Sequence, residues 1–393
     1  MKFNQWTLGL AAVGAVSLAS AVRADEAKLS VLNTALSNTT ISGYVDVAAQ
    51  YNMGNAKSGD NFSLNSATIT LDKPLDESPW AAGYHVDLNG GSAAITPLNS
   101  GGSVSGTVTG RAYGDNLGLR NNLGYDSNLS IPYSANVTGA SSFGIRQAYV
   151  ALRTPVGNGI DWKMGLFDGI TGYEGNTGYL NPNFTRSYGY MLNPASEVGL
   201  LGSYNFSKEI ALQMGIANRV NGTAVGLSSK DYIAAIALTA PESFGFLKGS
   251  VLNLQTIQTF DNGGINNYSV NGTFATPVAG LKFGLAYDKV QSLQAAGADG
   301  NIYGVYATYQ ATQKLGFNLR GEYLDGQNLS SYFGGNGGNY KGEEVTATIQ
   351  YDLWANVVSR LEFRWDHLES NRAFYDNSYQ NAYLLALNIV YKF

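Results

Sequence analysis

The sequence contains no cysteine at all, so neither a disulfide framework nor a thiolate metal site is available to hold an exported chain together. Histidine is almost as scarce. Only His85 and His367 occur, at distant positions, and a serine–histidine nucleophile or a histidine metal cluster would have to be assembled from one residue each. A membrane lipase is a remote option on those terms. There is no Gly-Lys dipeptide, which excludes a Walker-type phosphate loop, and no spacing marks a pair of glycosidase carboxylates. Charged residues are only 13% of the chain, and stability must come from hydrogen bonding and buried area.

Long hydrophobic runs are also missing, with one exception at the start. Lys2 precedes an apolar stretch from Trp6 to Leu18 and then the small-residue series Ala19, Ser20, Ala21, Val22, Arg23, Ala24. The order is that of a secretory signal peptide. The run is too short for a bilayer span, which takes about 20 residues. Residues 1–24 are therefore expected to be cleaved, with 25–40 a periplasmic N-terminal segment and 41–393 one domain. Loss of Lys2 and Arg23 leaves 22 basic against 29 acidic residues, a balance of −7, which argues against a nucleic-acid partner.

What the chain does have is glycine (48), tyrosine (26) and a side-chain alternation of period two. In the last segment Tyr383, Leu385, Leu387, Ile389, Tyr391 and Phe393 alternate with smaller or polar residues. One face is apolar throughout and ends in aromatics. Val345, Ala347, Ile349, Tyr351 and Leu353 stand against Glu344, Thr346, Thr348, Gln350 and Asp352; Leu361, Phe363 and Trp365 stand against Arg360, Glu362, Arg364 and Asp366. A soluble β-sandwich gives the same alternation, so periodicity alone leaves both architectures open. Length favours the membrane, since the segments run to about ten residues or more, enough to cross with tilt, whereas strands in globular proteins centre on about five or six. Aromatics at segment ends, Tyr51, Trp80, Tyr287, Tyr323 and Tyr351, suit the two membrane interfaces.

About sixteen strands are expected, at 41–52, 61–73, 80–89, 142–154, 159–167, 197–206, 209–218, 231–240, 246–258, 264–275, 279–290, 301–310, 313–325, 341–353, 355–367 and 380–393. Tight turns such as 155–158, 205–208 and 277–278 alternate with long segments such as 90–141 and 168–196. That is the plan of an all-β, transmembrane, antiparallel up-and-down β-barrel with periplasmic termini and long extracellular loops. In hydrocarbon every backbone polar group must be paired within the protein, so the sheet must close, and sixteen strands enclose an aqueous lumen. The inward face then carries Asp46, Asp87, Asp161, Lys163, Lys282, Asp288, Arg320, Glu322, Glu344, Arg360, Glu362, Arg364 and Lys392, charges of both signs.

Several motifs keep a fixed order: Arg146-Gln147-Ala148-Tyr149-Val150, then Gly157-Asn158-Gly159-Ile160-Asp161-Trp162-Lys163-Met164-Gly165, Gly172-Tyr173-Glu174, and Asn181-Pro182-Asn183-Phe184-Thr185-Arg186-Ser187. This set resembles the OmpL-like β-barrel porin family, most closely over 142–222. The family usually has serine before the arginine, where this chain has Thr185. The resemblance implies an outer-membrane porin of a Gram-negative-type bacterium, a channel passing small hydrophilic solutes and no enzyme. Its partners would be membrane lipids and the assembly machinery that reads a terminal aromatic, here Phe393. Homotrimers are common among general porins and such an assembly stays open. Also open are a substrate-specific sugar channel with a tyrosine track and a receptor or adhesin carried on 90–141.

The third long segment, 168–196, is the expected constriction. One expectation sets Glu174 at the constriction opposite some of Arg320, Arg360 and Arg364, with Lys163, Lys282 and Asp87 as further lining charges; the other pairs Glu174 with Arg186 to pin the loop.

Overall fold

The computed structural model describes residues 38–53, 61–91, 98–99, 142–218, 230–259, 264–293, 297–333, 338–369 and 380–393. Sixteen strands span and one short piece accompanies them: β1 (Thr40–Met53), β2 (Asn61–Lys73), β3 (Ala81–Gly91), β4 (Leu98–Asn99), β5 (Ser142–Thr154), β6 (Ile160–Asp168), β7 (Ser196–Asn205), β8 (Ile210–Asn218), β9 (Lys230–Thr239), β10 (Val251–Thr259), β11 (Ile265–Ala275), β12 (Leu281–Ser292), β13 (Asp299–Gln310), β14 (Leu315–Gln327), β15 (Asn339–Trp354), β16 (Val357–Leu368) and β17 (Asn381–Lys392). The two residues of β4 pair with β5 at Ile145 and Gly144, beyond its last described pair with β6 at Ala148. Every spanning strand pairs antiparallel with its neighbour in the sequence of spanning strands, and β1 pairs with β17 from Tyr44 opposite Lys392 to Met53 opposite Tyr383. The sheet closes, and no spanning edge is left to hydrocarbon.

The seam is completed by the last residue. Gly43 N–H donates to Phe393 O at 3.0 Å and Phe393 N–H donates to Gly43 O at 3.0 Å. Glycine is needed there because a Cβ at position 43 would lie 2.2 Å from Thr68 O and 2.6 Å from the Phe393 ring. Both barrel ends of the chain share one rim with the short connections such as 155–159, 206–209, 311–314 and 355–356, while the long segments leave the other rim.

One expected strand is shorter than its pattern. Residues 246–250, expected to begin the strand that ends at 258, do not join it; a 3-10 turn runs from Glu242 to Leu247 and β10 begins at Val251. Pro241 cannot donate a backbone bond, and Gly245 (φ 60°) and Gly249 (φ 74°) adopt left-handed backbone, so the chain turns through the first residues of the stretch expected as strand.

The side-chain distribution is inverted relative to a soluble sandwich. Along β15, Val345 and Ile349 are 41% and 45% exposed, whereas Thr346 and Thr348 between them are 0% and 2% exposed. The oily row faces out all around the barrel and a mostly polar row faces in, the arrangement that lipid outside and polar groups inside require. Among the described residues no helix is long and apolar enough to cross a membrane; the strands do so. The inner face is not polar everywhere, however. Leu201, Ile233 and Ile257 gather Phe167 and Ile170, and Val290, Ile302 and Leu324 gather Tyr188 and Leu192. Both clusters receive residues of the segment that follows β6.

Candidate functional site

That segment, 169–195, joins β6 to β7, and none of its residues is exposed. It lies inside the barrel. Its local form follows from its own polar residues: Asn181 donates to Gly175 O at 2.8 Å and accepts from Gly175 N–H at 3.0 Å, closing a ring that holds the 3-10 turn Gly178–Leu180. Ser187 then caps a five-residue helix, Tyr188–Leu192, accepting from Tyr190 N–H at 2.9 Å. An N-cap oxygen satisfies one of the unpaired amides of a first turn. The helix places Tyr188, Met191 and Leu192 in the apolar cluster with Val290, Ile302 and Leu324, where full burial of one such side chain contributes about 1.5–3 kcal/mol.

Polar contacts tie the segment to the wall from β10 round to β17. Gly172 N–H donates to Gln255 at 3.0 Å, and the Tyr173 ring stacks on Tyr306 at 4.0 Å between centroids while its hydroxyl meets Thr273 at 3.1 Å. Burial pushes the Tyr173 hydroxyl up to about 12 and that of Tyr179 likewise to about 12, so both stay neutral hydrogen-bonding groups. Gly284 opposite must lack a side chain, since a Cβ there would sit 2.2 Å from the Tyr173 oxygen.

Glu174 is the centre of the anchoring. Its Oε1 accepts from Arg320 Nη1 at 2.7 Å and its Oε2 from Ser187 N–H at 3.0 Å. Arg320 is fully buried; it also donates to Glu344 at 2.5 Å and to Thr185 O at 2.7 Å. Glu362 accepts from the backbone N–H groups of Phe184 (2.6 Å) and Thr185 (2.8 Å). Arg364 pairs with Asp366 at 2.7 Å and donates to Arg186 O at 2.6 Å, and Arg360 donates to the carbonyls of Gly178 (3.3 Å) and Tyr179. The structure thus brings Glu174 and Arg320 into contact and sets Arg360 and Arg364 on loop carbonyls.

Arg186 does not meet Glu174. Its Nη1 donates to Gly175 O and its Nη2 to Asn176 O, both at 2.6 Å, and the guanidinium lies 4.3 Å from the Tyr190 ring centre. Asp87 stands elsewhere, on β3, bonded to Arg146 and to Gln147 at 2.9 Å, while Arg146 also pairs with Asp168 at 2.8 Å. Lys163 on β6 sits over the Tyr149 ring at 4.9 Å. Lys282, half-buried on β12, is one inward position nearer the short turns than Gly284. The sector β2–β6, carrying Asp72, His85, Asp87, Tyr149, Lys163 and Asp168, lies opposite the wall that the loop covers.

Glu322, Glu344 and Glu362 are expected on the inward face with no role of their own, and Asp366 is not among the expected inward charges; all four make contacts here. The signal was present in the density of charge on successive inward positions of β14 to β16, more than a water-filled wall requires. Of the segment 90–141, all but Gly90, Gly91, Leu98 and Asn99 falls outside the described residues, as do residues 1–37.

The family model described as "Putative beta-barrel porin-2, OmpL-like" matches residues 38–393. No curated protein sequence matches the chain. Among solved structures, OmpT of Vibrio cholerae superposes with a TM-score of 0.54 at 11% identity, over 92% of this chain and 100% of that one. The outer membrane channel DcaP of Acinetobacter baumannii gives 0.54 at 11% identity, over 90% and 97%. An anion-selective porin from Comamonas acidovorans gives 0.55 at 12% identity, over 90% and 99%. At such identities the likeness is one of fold.

Proposed function

The chain belongs to the OmpL-like β-barrel porin family matched over residues 38–393, and from that premise we propose that the mature protein forms a water-filled outer-membrane channel for passive diffusion of small hydrophilic solutes. It is a channel and not an enzyme. The observation that carries this reading is a closed sheet with oily side chains outside and polar ones inside, narrowed by one segment packed against half of its inner wall. Glu174, Arg320, Arg360 and Arg364 act in this proposal as the anchors of that segment, and the solute path runs between the segment and the sector β2–β6. Residues 1–24 are removed on export. Assembly as a homotrimer is part of the proposal, in keeping with OmpT of Vibrio cholerae, which has been solved in a trimer form.

In planar bilayers the purified protein should give discrete, ohmic conductance steps, and liposome swelling should slow smoothly as uncharged solutes grow. A preparation that is folded yet never conducts would reject the channel. Saturation with one sugar would instead select the specific-channel reading.

Phe393 is proposed as the assembly signal. Its backbone supplies two seam bonds and its ring covers Gly43, so deletion removes a recognition element and leaves β1 without its last partner. Assembly into the outer membrane, followed by the heat-modifiable gel shift of the folded barrel, should slow several-fold in the deletion. Kinetics equal to those of the intact chain would argue that the ring serves the interface alone.

A further inference from the structure

The sequence pattern suggested a loop that presents its carboxylate to the lumen, and the side chains are arranged the other way round. Glu174 is turned into the wall and neutralised by Arg320. Arg186, from the same segment, is half-buried, and among the described residues its side-chain hydrogen bonds go to carbonyls. Two of the five guanidinium N–H groups are used by Gly175 O and Asn176 O, which leaves donors for an anionic group.

The guanidinium is also held in place. Its flat face rests on Tyr190, whose hydroxyl donates to Asn176 Oδ1 at 2.8 Å, and its own carbonyl accepts from Arg364 at 2.6 Å and Arg320 at 3.3 Å. Such stacking fixes a planar cation at small entropic cost. Asp46 on β1 flanks Gly178 as Arg186 does, and the two opposite charges attract each other there. Asp46 is buried, and its Oδ1 accepts from Asn65 at 2.9 Å and Asn388 at 2.6 Å. In the facing sector, the acids that reach water are paired: Asp72 with His85 at 2.8 Å and Asp168 with Arg146 at 2.8 Å.

We propose that Arg186 is the selectivity-determining residue of the channel, a fixed cation on the inward loop that favours small carboxylate- or phosphate-bearing anions along the solute path. The inference rests on the channel reading and gives it a solute class. A unit charge ~8 Å from the path in a water-like medium favours an anion and disfavours a cation by a factor of about 2.4 each, so its removal should lower the anion-to-cation permeability ratio about sixfold.

Reversal potentials under a KCl gradient test this with the full-length mature barrel in bilayers. Arg186→Gln should shift the potential toward cation preference, Arg186→Glu further, and Arg186→Lys should stay near the native value. Lys208→Gln, an exposed charge in the turn 206–209, should leave the ratio unchanged. An Arg186→Gln channel of normal conductance and native permeability ratio overturns the proposal while leaving the porin reading intact; a native protein with no conductance overturns the porin reading itself. A second measurement needs no variant. Succinate added to the native channel should reduce chloride current with saturation, and a reduction that stays linear in succinate counts against the proposal.

Discussion

Arg320→Ala is expected to release the inward segment from the wall and to cost about 3–5 kcal/mol, the range for stripping one partner from a buried ion pair. The reason is the position of the guanidinium between two carboxylates, Glu174 on the segment and Glu344 on β15, all three without exposed side-chain surface. Removing it leaves both acids facing each other in a low-dielectric wall. Lysine should rescue little, because a point charge cannot reproduce the forked donors that reach Glu174, Glu344 and Thr185 at once. Two measurements check this. Urea unfolding of the barrel in lipid should show the lost stability, and single-channel traces should become noisier or larger as the segment leaves the lumen. Arg320→Ala with native stability and quiet native conductance would mean that the segment is held by its apolar helix alone. A double-mutant cycle with Glu174→Gln separates the pair from the rest: coupling should be large, because the two side chains share a 2.7 Å contact.

The second large effect concerns the outer face. Leu387→Arg, near the middle of β17 and 47% exposed, should cost about 2–4 kcal/mol in a bilayer, while Tyr391→Arg near the rim should cost no more than about 1 kcal/mol. In water an arginine at an exposed leucine position would be nearly harmless. The gradient with depth is therefore a test of lipid as the solvent on that side, readable from folding free energies into vesicles. Equal and small effects at both positions would place the outer face in water and sink the membrane assignment.

Most of the strand plan was legible in the chain. Period two is a local property of pleated backbone, and Tyr383 to Phe393 or Val345 to Leu353 display it without any help from distant residues. The misplaced strand start at 246–250 was local too, since that stretch follows a turn with left-handed glycines at 245 and 249. The inward charges of β14 to β16 were also legible as inward. Their partners were not. Glu174 and Arg320 are 146 residues apart, and Glu362 and Phe184 are 178 apart; nothing in a sequence motif states which of several inward arginines a loop carboxylate will reach. The same limit hid the polarity of the loop. The two motifs that carry Glu174 and Arg186 supply opposite charges, and only packing decides which one is sealed against the wall.

By itself, then, the order of residues determined an exported chain whose strands alternate an oily and a wet row and whose count suits a closed barrel. Tertiary structure decided the register of the closing seam, and that the segment after β6 enters the lumen with its acid buried against Arg320 and its arginine on loop carbonyls. The physical reason is range. Backbone pleating and turn chemistry act between neighbours, whereas burial of charge depends on distant groups that meet only when the sheet has closed.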